Sequence, residues 1–178
     1  MLDPEVANRV TVLPLAVSDY PGESTLFVAG SNAGNSVVGA PIKDHAKQNM
    51  TTTYPILVRR VDDLVADMSG FVIRSLKLDV QGYECKALLG MRRLLTAGVV
   101  RAATLEMADT WLKPNGCSSD LLLGLLSSFG FLVDVRDTPR CIYGRYGCDM
   151  TFRWRGVDRC RWEHPHDPGK SWVCVPVV

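Results

Sequence analysis

The sequence predicts an α/β fold in which helices cover both faces of a mostly parallel sheet. With 178 residues, 47% of them hydrophobic, the chain is long enough for one domain with a buried core. The clearest unit is a hydrophobic strand at residues 71–80, a Gln81-Gly82 turn and an amphipathic helix at residues 83–96. A strand, a tight turn and a helix in this order are typical of a crossover connection between parallel strands.

The alternation of strands and helices continues after this unit. Residues 99–107 predict a strand, residues 118–129 a helix with Ser118 or Ser119 as its N-cap, and residues 131–135 a further strand. Repeated crossovers of this kind place helices on both sides of a sheet, which is the basis of the fold prediction.

The segment before residue 71 has a different character. Residues 10–17 predict a strand that ends in a turn, and residues 24–28 and 51–58 predict a hairpin with a long connecting loop. Residues 61–65 suit one or two helical turns. A second change follows residue 136, where the chain becomes rich in Arg, Trp, Cys and Pro.

Beyond that change, only residues 149–154 predict a strand. We place it at an edge of the sheet, because irregular sequence surrounds it. The sequence therefore predicts two regions: residues 1–136, which hold the alternating strands and helices, and residues 137–178, an edge strand plus an irregular Cys/Trp-rich tail.

Charge and hydropathy narrow the classes of partner. Lysine and arginine number 20 against 19 aspartates and glutamates, and a net charge of +1 is too small to attract nucleic acid or an anionic membrane. No apolar stretch is long enough to cross a bilayer, and Asp3 and Glu5 stand where a leader peptide would be basic and then apolar. We therefore expect a soluble, cytoplasmic protein with no nucleic-acid partner and no membrane span.

The cysteines indicate whether the protein belongs to a reducing or an oxidising cellular compartment. Only Cys85 lies in the first half of the chain, and the other five follow residue 116. Without a leader peptide the sequence favours reduced thiols, and one or two disulfides in a secretory compartment are the alternative.

One string carries the chemical information: residues 76–84, Leu-Lys-Leu-Asp-Val-Gln-Gly-Tyr-Glu. Ligands of open parallel sheets bind beyond the carboxyl ends of the strands, so Asp79 and Gln81 would stand at the rim of a site. Gly82 permits a sharp turn, and the positive end of the helix dipole favours Glu84. An acidic residue in such a turn is equally often a helix cap, so the residues alone leave both interpretations open.

This string resembles the signature of FkbM-type S-adenosylmethionine-dependent methyltransferases, in which a strand ends in Lys-x-Asp-Val/Ile-Gln/Glu-Gly and then Glu. Four shorter strings resemble the family in order and spacing: Ala16-Val17-Ser18-Asp19 with Gly22, Val61-Asp62-Asp63-Leu64, Leu88-Leu89-Gly90-Met91, and Leu105-Glu106. The resemblance covers residues 10–131 and leaves out the tail.

The resemblance implies a class I methyltransferase fold, which is Rossmann-like, with S-adenosylmethionine lying across the strand ends. It implies that Ser18 and Asp19 lie near the adenine. The catalytic candidates it implies lie on the methyl and acceptor side: Asp79, Gln81, Glu84 and Glu106. Asp79 would take the proton of the acceptor hydroxyl. Glu106 would line the acceptor pocket, and a structural bond to a backbone group or a lysine is its alternative role.

The family pattern also has a glycine-rich strand-turn and an acidic strand end that hold the cofactor, and neither precedes Val10 here. Residues 1–136 are therefore interpreted as a partial methyltransferase domain that lacks the N-terminal cofactor-binding strands. The functional prediction is O-methyl transfer to a hydroxyl of a small molecule or glycan. The alternative is a truncated or degenerate methyltransferase fold without catalysis that binds a partner. An exposed sheet edge would favour self-association.

Three other patterns are weaker. Pro168-Gly169-Lys170-Ser171 resembles the end of a phosphate-binding loop, but His164 stands where the loop needs its first glycine. The tail cysteines and histidines lack the paired knuckles of a zinc site, so no metal is expected. The tail tryptophans and arginines are mixed with acids, which favours a solvated edge over a nucleic-acid surface.

Overall fold

The computed structural model describes residues 8–30, 32–39, 50, 52–65, 72–133, 148–155, 159–161 and 173–175. Within them the chain forms two four-stranded sheets and one two-stranded ribbon. No helix in these ranges is both long and apolar enough to cross a membrane. Some tail residues of the zinc, phosphate-loop and stacking patterns, such as Cys141, His164, Lys170 and Trp172, lie outside the described residues.

The first sheet has the order β1-β4-β2-β3. Its strands are β1 (Ala16–Val17), β2 (Gly22–Val28), β3 (Val37–Val38) and β4 (Thr52–Arg59). β2 pairs antiparallel with β4 and with β3, which confirms the predicted hairpin, and β1 pairs parallel with β4. The predicted first strand is shorter than expected, because Pro14 offers no N–H for pairing and only Ala16 and Val17 join the sheet.

The second sheet has the order β5-β6-β8-β7. The elements from residue 61 to residue 154 are α1 (Val61–Leu64), β5 (Leu76–Leu78), α2 (Glu84–Gly90), α3 (Arg92–Thr96), β6 (Ala102–Met107), α4 (Asp109–Leu112), a 3-10 turn (Lys113–Asn115), α5 (Ser119–Ser128), β7 (Phe131–Val133) and β8 (Cys148–Trp154). β5 and β6 run parallel, whereas β8 is antiparallel to both β6 and β7. Both sheets are therefore mixed, and the prediction of a mostly parallel sheet is wrong.

In the second sheet, the antiparallel pairs come from β8, the strand at the start of the tail. We predicted an edge strand at residues 149–154, but β8 lies between β6 and β7 and pairs with both. Its alternation explains the position: Met150 and Phe152 are fully buried, while Asp149, Thr151 and Arg153 point to the opposite face. The tail is also less irregular than predicted, because β9 (Arg159–Arg161) and β10 (Val173–Val175) form an antiparallel ribbon.

Helices cover one face of the second sheet. The buried side chains of its strands pack with the helices into one hydrophobic core, which includes Leu78, Leu88, Leu94, Leu105, Leu122, Leu126, Met150 and Phe152. The opposite face carries polar side chains, and the hydroxyl groups of Thr104 and Thr151 lie 3.2 Å apart there, within hydrogen-bond distance. Within the described residues the prediction of helices on both faces is therefore wrong for this sheet.

Two residues of the family motifs, Asp62 and Gly90, connect the helices of the second sheet to the first sheet and α1. The Asp62 carboxylate accepts the backbone N–H groups of Arg93 and Leu94 at 2.8 and 3.1 Å, which caps the start of α3. Gly90 lies so close to the Ser18 carbonyl that no Cβ would fit between them. These two contacts attach the first sheet and α1 to the helices of the second sheet.

A disulfide joins Cys85 in α2 to Cys117, which precedes α5, with their Cα atoms 6.1 Å apart. The prediction of reduced thiols is therefore wrong for this pair. The two residues are separated by 32 positions, and only the packing of α2 against the segment after α4 brings them together. The sequence spacing gave no sign of it.

Candidate active site

Three carboxylates form a row across neighbouring strands of the second sheet. Leu78 of β5 pairs with Leu105 of β6, so Asp79 lies beside Glu106, and Glu106 lies directly opposite Asp149 of β8. Cross-strand neighbours point to the same face of a sheet, which here is the face that no helix of the described residues covers. The row stands at the carboxyl ends of the two parallel strands, where ligands of open α/β sheets bind.

Gln81 holds two of these carboxylates. Its amide Nε2 donates to Asp79 Oδ1 at 2.8 Å and to Glu106 Oε2 at 3.3 Å. The residue is only 7% exposed, and its backbone adopts a φ of 52°, which is unusual for a residue other than glycine. Its amide oxygen Oε1 is buried without a hydrogen-bond partner among the described residues. A positive φ at a residue other than glycine is strained and is maintained only where the surroundings enforce it. Backbone strain of this kind clusters at functional sites.

Lys77 is the positive charge of the row. Its Nζ lies 3.5 Å from Asp79 Oδ2 and 3.5 Å from Asp149 Oδ2. The charge of Asp149, then the hydrogen bond and charge of Asp79, raise the pKa of the lysine. All three side chains are about half exposed, so the two contacts are loose and solvent-screened. We call Lys77, Asp79, Gln81, Glu106 and Asp149 the rim cluster.

Glu106, one of the three carboxylates of the row, has a raised pKa. Partial burial raises its pKa, and the charges of Asp79 and Asp149 raise it further. Lys77 and the hydrogen bond from Gln81 act in the opposite direction. A carboxylate with a raised pKa holds a proton more readily near neutral pH than an unperturbed one.

Glu84 lies inside the protein. It is 1% exposed, and its Oε1 accepts the N–H of Val80 at 3.2 Å, which fastens the turn that follows β5. Burial raises the pKa of Glu84 to about 7, against the opposing effect of the backbone hydrogen bonds. Its second oxygen, Oε2, is buried without a partner among the residues described. The structure therefore puts Glu84 behind the rim cluster and in a position to support the turn.

The turn itself is tightly packed. Gly82 has a φ of 96°, and a Cβ there would collide with the carbonyl of Trp111 and approach Asn115 Nδ2 to 2.8 Å. Asn115 Nδ2 also donates to that carbonyl at 3.2 Å. Together with the Cys85–Cys117 disulfide, these contacts hold the turn against α4 and the segment that follows it.

Ser18 and Asp19 lie away from the rim cluster. The Ser18 hydroxyl donates to Asp19 Oδ1 at 2.9 Å, and Ser18 is only 1% exposed. The Ser18 carbonyl contacts Gly90, at the far end of α2 from Asp79, so about 9 Å of helix separates the two places. The structure brings Asp79, Gln81 and Glu106 together, but it does not bring Ser18 and Asp19 to them.

Sequence reasoning missed Asp149 and gave Lys77 no role. The alternation of polar and apolar residues in β8 shows that Asp149 shares a face with Thr151 and Arg153. What the sequence does not show is that β8 enters the sheet beside β6, which is the step that brings Asp149 to Glu106. No group of three or more metal-ligating side chains occurs in the part of the chain that the structure describes.

The strands and helices make this an α/β protein, and carboxylates at the ends of two parallel strands, beside a tight turn that opens a helix, are typical of ligand sites at the edge of such a sheet. The family model described as "Methyltransferase FkbM domain" matches residues 3–133, and the chain therefore belongs to the FkbM methyltransferase family. This confirms the resemblance found in the sequence. No curated protein and no solved structure matches the chain.

Proposed function

We propose that the chain acts in S-adenosylmethionine-dependent methyl transfer to a hydroxyl group of a small molecule or glycan. Family membership supports the reaction class. The observation that carries the assignment to a site is the Gln81 amide, which holds Asp79 and Glu106 side by side at the strand ends.

The rim cluster fits the reactive end of this cofactor. A sulfonium is a cation, and the carboxylates of Asp79 and Glu106 complement its charge. When bound, S-adenosylmethionine supplies an electrophilic methyl group. We propose contacts of Ser18 and Asp19 with the adenine from the family pattern alone. In the structure, the buried Ser18 hydroxyl donates to Asp19.

The chain's own residues position the acceptor and remove its proton. In our proposal Glu106 accepts the hydroxyl proton, because partial burial and two neighbouring carboxylates raise its pKa. Asp79, which is more exposed, orients the same hydroxyl group. Gln81 is a positioning residue that fixes the two carboxylates relative to each other, and Glu84 holds the turn on which Gln81 stands.

The test combines cofactor binding with transfer. Titration calorimetry with S-adenosylmethionine and S-adenosylhomocysteine measures binding, and radiolabelled methyl transfer to a library of hydroxylated acceptors measures activity. Glu106→Gln should lower transfer by about 10² or more, the usual contribution of a general base. Binding of S-adenosylhomocysteine, which lacks the sulfonium charge, should stay unchanged. Asp120→Asn, an exposed change in α5, is the matched control. Unchanged transfer in Glu106→Gln would refute the role of Glu106.

A second candidate function is partner binding without catalysis. Among the described strands, β1 pairs only with β4 and β5 only with β6, so each has one unpaired edge. An unpaired edge can take up a strand from another chain or from a second copy. Absence of cofactor binding together with a concentration-dependent dimer in size-exclusion chromatography would favour this candidate.

A further inference from the structure

Two cysteines of the tail occupy opposed positions in the ribbon formed by β9 and β10. The register pairs Cys160 with Cys174 at the centre of the ribbon, with one further residue pair on each side. Both cysteines lie beyond the family match, which ends at residue 133. The central pair of the ribbon therefore consists of two residues that can form a covalent bond with each other, outside the part of the chain that the family pattern explains.

The backbone spacing of such a pair suits a disulfide. Directly opposed residues of antiparallel strands have Cα atoms about 4.5 or 5.5 Å apart, depending on whether the two residues exchange hydrogen bonds. Disulfides join residues whose Cα atoms are about 4.4 to 6.8 Å apart, so both kinds of pair fall inside the range. The register therefore brings Cys160 and Cys174 to a bonding separation without any change in the strand pairing.

The ribbon also needs a covalent link more than the two sheets do. β9 and β10 have three residues each, and among the described strands they pair only with each other. A two-stranded ribbon this short is marginal in water, because its few hydrogen bonds must offset the entropy of closing the connection over residues 162–172. A disulfide between the strands closes that loop in the unfolded chain as well, and so removes most of this cost.

The redox state of the chain is indicated by its other cysteines. Cys85 and Cys117 are joined in a disulfide, and these two residues are only 5% and 6% exposed. A bond buried in the core is structural, and structural disulfides form and persist in oxidising compartments. Cys160 and Cys174 belong to the same chain and meet the same conditions.

We propose that Cys160 and Cys174 form a second disulfide, which closes the ribbon of the tail. The bond forms by exchange with a disulfide oxidant of the glutathione type. The thiolate of one cysteine attacks the oxidant and releases one thiol, and the second cysteine then attacks the mixed disulfide and releases the other. The two cysteines lose two protons and two electrons, and the oxidant takes them up as two thiols.

The test is peptide mapping of the full chain after equilibration in glutathione buffers from reducing to oxidising, with free thiols blocked by iodoacetamide before digestion. Trypsin cleaves after Arg159, Arg161 and Lys170, which puts Cys160 into the peptide of residues 160–161 and Cys174 into that of residues 171–178. Only a disulfide keeps these two peptides together. The linked pair should appear in the oxidising buffers and disappear after reduction with dithiothreitol.

Single substitutions distinguish this pairing from others. Cys174→Ser should leave Cys160 as a blocked thiol or a glutathione adduct, linked to no other peptide, and Cys160→Ser should do the same for Cys174. Cys148→Ser, the matched change in β8, should leave the linked pair at its wild-type yield.

Two results would overturn the proposal. One is an unlinked Cys160 in buffers in which the Cys85–Cys117 bond has formed, since that bond shows that the conditions oxidise the chain. The other is a bond from Cys160 or Cys174 to any other cysteine. Neither readout needs cofactor or methyl transfer, so the proposal is tested independently of the proposed function.

Discussion

The two sheets of this protein are buried to very different degrees. In the second sheet, Leu105, Met150 and Phe152 are completely buried under the helices. In the first sheet, β4 exposes Tyr54 and Leu57 by about half of their surface. Because hydrophobic stabilisation follows the apolar area removed from water, the second sheet supplies most of the stability.

The candidate site belongs to the better-packed sheet. Its carboxylates stand on rigid strands whose opposite face is the core, and a site needs such support to keep its geometry. The first sheet is attached to it through the contact of Ser18 with Gly90 and the close packing of Gly39 against the Tyr83 hydroxyl. The capping of α3 by Asp62 attaches α1. The residues of one family pattern are therefore divided between the candidate site at the second sheet and the attachment of the first.

The largest effect should come from truncating one leucine in each sheet, a buried one in the second sheet and an exposed one in the first. Leu105→Ala should lower the free energy of unfolding by about 3 to 5 kcal/mol, because it opens a cavity in the core. Leu57→Ala, at an exposed position of the first sheet, should change it by less than about 0.5 kcal/mol. Urea unfolding followed by circular dichroism measures both. Similar losses in the two variants would show that the sheets contribute equally.

A pH series compares a buried and an exposed glutamate. Burial raises the pKa of Glu84 from its ordinary value of 4.5 to about 7. Between these values the folded chain keeps a proton that the unfolded chain has lost. The free energy of unfolding should therefore fall as the pH rises from about 4.5 to about 7, by on the order of 3 kcal/mol.

Glu84→Gln should remove that dependence, because the amide oxygen still accepts the Val80 N–H and nothing is left to ionise. Glu23→Gln, on an exposed residue of β2, is the control and should retain the wild-type slope. The measurement is chemical unfolding at a series of pH values. An identical slope in wild type and Glu84→Gln would mean that another group causes the dependence.

Local patterns predicted the elements better than their arrangement. Ser118 caps α5 as expected, its Oγ accepting the N–H of Leu121 at 3.2 Å, because a cap depends on a few adjacent residues. The helix predicted over residues 83–96 divides at Met91 into α2 and α3. The Asp62 carboxylate accepts the N–H of Arg93 there and so caps the start of α3. Such an interruption comes from a residue 31 positions away, which periodicity does not report.

The same limit applies to the candidate site. The string around Asp79 and Gln81 was recognisable because its residues are consecutive, and Glu106 because the family pattern supplied it. Asp149 was not recognisable from the sequence, because its position depends on the antiparallel strand β8, which is inserted between β6 and β7. Pairing between distant strands is decided by the packing of the whole core, and Met150 and Phe152 fix β8 there by their burial.

The smallest of these effects tests the link between the sheets, using two helical glycines. Gly90→Ala should lower the free energy of unfolding by about 2 kcal/mol, because the new methyl group displaces the Ser18 carbonyl. Gly124→Ala in α5, where a Cβ meets nothing within 4 Å, should instead stabilise the chain by up to about 1 kcal/mol. Hydrogen exchange should show lost protection in β4 but not in β6 for Gly90→Ala, since only the first sheet is attached at this point. Equal loss in both strands would mean that the two sheets unfold as one cooperative unit.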